Sequence, residues 1–181
     1  MPRTDLAAAA ELARSHLARV EPRWTHVQAV GRTMERLCAQ HDLPRELAAA
    51  GWLHDIGYAP DLVDSGFHPL DGARFLQGIG ESELVTSLVA YHSGAKFEAE
   101  ERGLHSELAG FDEPPQDALD VLNLVDMTTG PEGARVPVDE RLSEILSRYG
   151  ATDPVGRALA RSSDQLRASV MRAAGWLNYP M

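Results

Sequence analysis

Apolar residues recur at three- and four-residue spacing along most of the 181-residue chain, and no stretch alternates convincingly like a strand. The pattern predicts helices almost throughout. Thr4-Asp5 offers a cap for a first helix reaching about Val20. Pro22 suits the first turn of a second helix running to about Gln40, and Pro44 that of a third ending near Asp55. The stretch IGYAPDLVDSGFHP is rich in Gly, Pro and Asp and predicts an ordered loop. Further helices are expected at about 69–78, 81–92, 97–108, 115–127, 138–149 and 154–174, with Gly150 stopping the one before it. QDALDVLNLVD is apolar on most faces apart from Asp117, Asp120 and Asn123, which places its helix in the middle of a bundle, with Asp126 at its end. The pattern, free of repeats and low-complexity linkers, predicts an all-α fold in a single domain over 1–181.

Two His-Asp pairs interrupt this pattern in different settings. His41-Asp42 follows a helix and precedes Leu43-Pro44, the setting of a surface turn in which Asp42 caps the next helix. His54-Asp55 ends an amphipathic helix whose apolar positions include Leu47, Ala48, Gly51 and Trp52. A buried carboxylate needs a partner, and a metal ion is one of the few adequate ones. The pair alone leaves metal binding and a hydrogen-bonded structural role both open.

The other histidines widen the choice. His26 shares the inward face of Val30, Met34, Leu37 and Cys38. His92 ends LVTSLVAYHSG, and His68 closes the polar loop before the next helix. Singly, each of these and Asp126 reads as a hydrogen-bonded structural residue. Together, His26, His54, Asp55, His68, His92 and Asp126 are nitrogen and oxygen donors suited to a transition metal of borderline softness: iron, manganese, cobalt, nickel or zinc. They lack the thiolates of a structural zinc site. His16 reads as part of the first helix and His105 as a surface residue.

Charge and composition narrow the partners. The net charge is -10, and of 17 basic residues only Lys96 is a lysine. No basic cluster appears, so a groove for long nucleic acid is not expected. A small anionic ligand remains compatible, because a bound metal inverts the local field. No run of 18 apolar residues exists, so no membrane span is expected. The N-terminal MPRTDLAAAAELARSHL is interrupted by Asp5, Glu11 and Arg14 and does not read as a signal peptide. The lone Cys38 excludes an internal disulfide and fits a reducing, cytoplasmic setting. The apolar tail GWLNYPM, with Trp176, Leu177, Tyr179 and Met181, is expected to pack on the body or on a second copy in a homodimer.

The ordered donors carry a resemblance. HDIG at 54–57 resembles the signature of the HD-domain superfamily of metal-dependent phosphohydrolases. A single histidine, the His-Asp pair and a distant aspartate match His26, His54, Asp55 and Asp126 in order. FHPLDGARFL and VAYHSGA resemble the motifs of the two-metal subset and supply His68 and His92. The resemblance covers roughly 22–127 and leaves the helices at about 138–174 to pack on that core. It implies an HD-type helical bundle with one or two divalent transition metal ions. One would take His26, His54, Asp55 and Asp126, and Asp55 would bridge to another on His68 and His92. His54 and Asp55 would then be the catalytic pair.

The activity implied is hydrolysis of a phosphate ester or anhydride of a small molecule, such as a nucleotide, by a metal-activated hydroxide. Arg74 and Lys96 are the candidates for orienting the phosphate, and Asp61 and Asp64 for carrying protons. Tyr58 stands where many members carry a basic residue, which sets the family's substrate contacts aside at that position. Two rival readings are a di-iron oxygenase on the same fold and a non-catalytic regulatory module.

Overall fold

A computed structural model describes residues 5–180. Thr4, half of the expected first cap, and Met181, the last residue of the tail, lie outside them. Asp5 caps α1 (Leu6–Leu17) by accepting from the amides of Ala7 and Ala8. α1 ends at Leu17, short of the expected Val20, and Pro22 takes the cap position of α2 (Arg23–His41). α2 ends on Asp42 in the left-handed region (φ 52). Asp42 therefore closes α2 instead of capping α3 (Arg45–Leu53), whose cap position is taken by Pro44.

A short 3-10 turn, Ile56–Tyr58, opens the ordered loop that leads to α4 (His68–Gly78). α5 (Glu83–Tyr91) is capped by Ser82 and runs into a second 3-10 turn, His92–Gly94. The helix expected at 97–108 is two helices, α6 (Ala95–Arg102) and α7 (His105–Leu108), because Gly103 takes a left-handed conformation (φ 69) and closes α6. α8 (Gln116–Asp126), α9 (Val138–Tyr149) and α10 (Pro154–Leu177) complete the chain. Among the described residues there is no strand, only an isolated bridge between Thr129 and Arg135. The fold is all-α.

α3 and α8 form the centre. Every residue from Leu47 to Leu53 is buried, as is every residue of α8 from Asp120 to Asp126. α2 packs along α3, and α10 lies across α8 and α6. At the α2–α3 crossing a Cβ on Gly31 would stand 2.3 Å from the Trp52 ring, so only glycine lets these helices come so close. The polar positions of α8 are paired within this core. Arg172 grips Asp120 through two bonds of 2.6 and 2.7 Å, and Asn123 donates to Ser169 at 3.0 Å. Burial of side chains such as Leu53 and Met34 stabilises by about 1.5–3 kcal/mol each, which offsets the cost of holding histidines and carboxylates in the same interior.

The tail folds back on the body. Leu177 is buried, Tyr179 packs against the core, and Arg135 sits 4.5 Å over the Tyr179 ring, while Trp176 stays half exposed. Among the described residues no helix is long and apolar enough to cross a membrane.

Candidate metal centre

The six candidate donors meet at one place, delivered by five different pieces of chain. His26 comes from the first turn of α2, one turn after Arg23. His54 caps the end of α3, and Asp55 then turns out of the helix (φ -102, ψ 10). That conformation lies in the sparsely populated bridge region, where many active-site residues sit. His68 begins α4, His92 caps α5, and Asp126 ends α8.

The donors fall into two triads whose ligand atoms lie within 4.8 Å of one another: His26, His54 and Asp126, and Asp55, His68 and His92. In the first, Nε2 of His26 lies 3.0 Å from Oδ1 of Asp126 and 3.4 Å from Nε2 of His54. In the second, Nε2 of His68 and Nε2 of His92 are 3.3 Å apart. Asp55 faces both triads. Its Oδ1 is 3.3 Å from His68 and 3.7 Å from His92, and its Oδ2 is 3.4 Å from His54. Adjacent residues on a helix diverge by about 100°, so leaving the helix at Asp55 lets the pair divide between the triads.

The chemistry of these donors fits a cation. Nδ1 of His26, His54 and His92 lies 3.2, 2.9 and 2.7 Å from the carbonyls of Gly130, Gly51 and Val89. A carbonyl only accepts, so each Nδ1 carries the proton and each Nε2 presents a lone pair inward. Two lone pairs facing each other at 3.4 Å, beside buried carboxylates, need positive charge between them. Without metal, a proton supplies part of it. Burial opposes a charge on His54, but Asp55 and then Asp126 prevail and raise its pKa. Burial also opposes the charge on Asp55, yet the Arg23 guanidinium and His54 hold its carboxyl well below the usual carboxylate range. Asp126 is depressed in the same way, its burial outweighed by the bond to His26. For His68 burial wins over Asp55 and pushes the imidazole down to about 4.

A surrounding set of contacts fixes the donors. Gly57 makes room for His68, since a Cβ there would stand 2.0 Å from the His68 carbonyl oxygen and 2.7 Å from the Gly72 nitrogen. Ser93, held at φ 50, donates from Oγ to Asp126 and from its amide to Asn123 at 2.7 Å. Tyr58 stacks on His68 with ring centroids 4.0 Å apart, and the Arg23 guanidinium lies 4.0 Å from the Tyr58 ring centroid. A cleft of about 650 Å³ opens on Asp55, His68, His92 and Asp126.

The remaining candidates stand elsewhere. Arg74 pairs with Asp64 at 3.5 Å and Lys96 with Glu113 at 2.7 Å, all substantially exposed, and neither cation lines this cleft. Asp61 holds His16 at 2.9 Å and so pins the loop to α1, which gives His16 a job and takes Asp61 from proton transfer. His41 is exposed at the end of α2, and His105 is exposed. Arg23, Ser93, Arg141 and Arg148, none of them a candidate by sequence, also line the cleft. Arg23 carried a readable signal, because it precedes His26 by one helical turn.

The family model described as HD domain matches residues 23–129, which takes in all six donors. No curated protein and no solved structure matches the chain.

Proposed function

The chain belongs to the HD-domain family, and from that membership and its paired triads we propose a metal-dependent phosphohydrolase acting on a small phosphorylated molecule. A nucleotide is one such substrate. The observation that carries the reading is Asp55, whose two carboxylate oxygens face different triads. His26, His54 and Asp126 would hold one divalent ion, and His68 and His92 the other, with Asp55 between them. Neutral imidazoles and hard carboxylates without thiolate suit iron, manganese, cobalt, nickel or zinc. Such ions supply Lewis acidity, which draws the pKa of a water toward neutrality and neutralises the oxygens of a phosphoryl group.

The chain's own residues do the rest. The carbonyls of Gly51, Val89 and Gly130 fix the tautomers that aim Nε2 inward. Arg23 holds Oδ2 of Asp55 in place, and Ser93 does the same for Asp126. Burial of the histidines excludes bulk water from all but the cleft side.

The oxygenase reading shares the ligand types, and no observation favours it over hydrolysis, which needs no reductant. The test is phosphate release from a panel of phosphomonoesters and nucleotides by protein stripped of metal and reloaded with manganese, cobalt or nickel. Turnover with several of these ions is expected. Absence of release with every ion and ester would contradict the proposal.

A further inference from the structure

The cleft carries positive charge that the metal centre does not use. α9 contributes Arg141 and Arg148 to its lining, with Arg23 from α2. Arg23 is already committed, since it bonds Asp55 at 2.6 Å and lies against Tyr58. Arg141 is not. It is 4% exposed, and its one hydrogen bond runs from Nη1 to Glu144 at 2.6 Å. Its Nε is buried without any acceptor, the single such side-chain atom among the described residues. Buried donors are nearly always satisfied, so an idle one in a cleft wall calls for an acceptor that the chain itself lacks.

Glu144 cannot neutralise this corner. The same carboxylate also faces Arg148, whose Nε is 3.3 Å away, so one anion serves two guanidinium groups. The excess cation stands out in a chain of net charge -10. Arg141 pairs with neither Asp55 nor Asp126. Ile145 and Leu159 add apolar surface to the lining of the same cleft. A guanidinium fork matches a carboxylate or a phosphate.

We propose that Arg141 and Arg148 form a second anion subsite, so that the substrate is a small organic phosphate bearing another acidic group. This rests on the phosphohydrolase reading above. α9, Val138–Tyr149, lies beyond the family-matched segment, which ends at 129. Arg141 is then the specificity-determining residue, and Arg148 supports it from the half-exposed rim.

The experiment is isothermal titration of the manganese-loaded chain with two probes of similar size, 2-phosphoglycolate and ethyl phosphate, followed by phosphate release from each. The wild-type chain should bind phosphoglycolate about ten- to a hundredfold more tightly. Arg141→Met should erase most of that preference and Arg148→Gln part of it. Melting curves establish that each variant is folded, and should Arg141→Met not fold, the rim variant decides. Equal binding of both probes, no binding of either, or a preference that survives the substitutions overturns the subsite; survival would mean that the carboxylate sits on the metal centre. The two readings fail differently. Phosphate released from both esters without preference sinks the subsite alone. A preference lost in the variants, with no phosphate released from either ester, sinks the hydrolase alone.

Discussion

Nη1 of Arg23 lies 2.6 Å from Oδ2 of Asp55, so the carboxylate that faces both triads is also one half of a buried ion pair. Breaking such a pair by removing one partner costs about 3–5 kcal/mol, because a charge is left buried alone. The metal-free Arg23→Met variant should therefore melt lower by roughly 6–20 °C, at about 2–4 °C per kcal/mol for a chain of this size. Manganese should raise its melting temperature more than it raises that of the wild type, since the ions then serve as the partner of Asp55. An equal gain in both chains would mean that Asp55 does not face the metal.

His54→Ala and Asp55→Ala should each remove bound metal and phosphate release together, whereas His41→Ala, at the exposed end of α2, should change neither. His68→Ala and His92→Ala each strip one triad only. Elemental analysis should show their metal content falling from about two ions per chain toward about one. A manganese- or iron-loaded wild type that never holds more than one ion would contradict the paired arrangement.

Gly57→Ala tests how the signature holds His68. The added methyl would meet backbone, not a side chain that can swing away, so α4 must shift and carry His68 with it. A destabilisation of about 1–3 kcal/mol is expected, with loss of the ion on the second triad. Wild-type melting and wild-type metal content would show that the turn yields at no cost.

Burial also predicts an acid limit for the metal-free chain. His68 is pushed down to about 4 in the fold, against about 6.5 when unfolded. Between those values the unfolded chain binds the extra proton, so stability falls as pH drops from about 6.5 to about 4. Asp55 and Asp126, both depressed, extend the loss as pH falls below the usual carboxylate range. His54, raised, has the opposite sign and contributes stability at low pH that is lost as pH rises through its folded pKa. Melting temperatures across pH should show a slope over the upper window that His68→Gln flattens. An unchanged slope would place the titration elsewhere.

Much of this was legible in the sequence where a single helix sets the outcome. The bounds of α9 follow from its spacing and from Gly150, and the donor set follows from histidines at inward-facing helix ends. What sequence proximity could not give was direction. Arg74 lies six residues after His68, or about 240° around the helix, and so points away to Asp64. Lys96 lies four after His92, yet the left-handed Ser93 and Gly94 break the helical register between them and send it to Glu113. The break at Gly103 is hidden in the sequence because the apolar spacing continues across it. Arg141 and Arg148 look like any solvated charges on α9. Only the packing of that helix over the cleft sets them apart.

The most direct test of the phosphohydrolase account is the source of the oxygen in the product. Manganese-loaded protein would be turned over under nitrogen in water enriched in oxygen-18, and the released phosphate weighed by mass spectrometry. The account predicts phosphate release without oxygen gas, with one labelled oxygen from water in each phosphate. Release that requires iron and oxygen gas, or phosphate that carries no label from water, would contradict it.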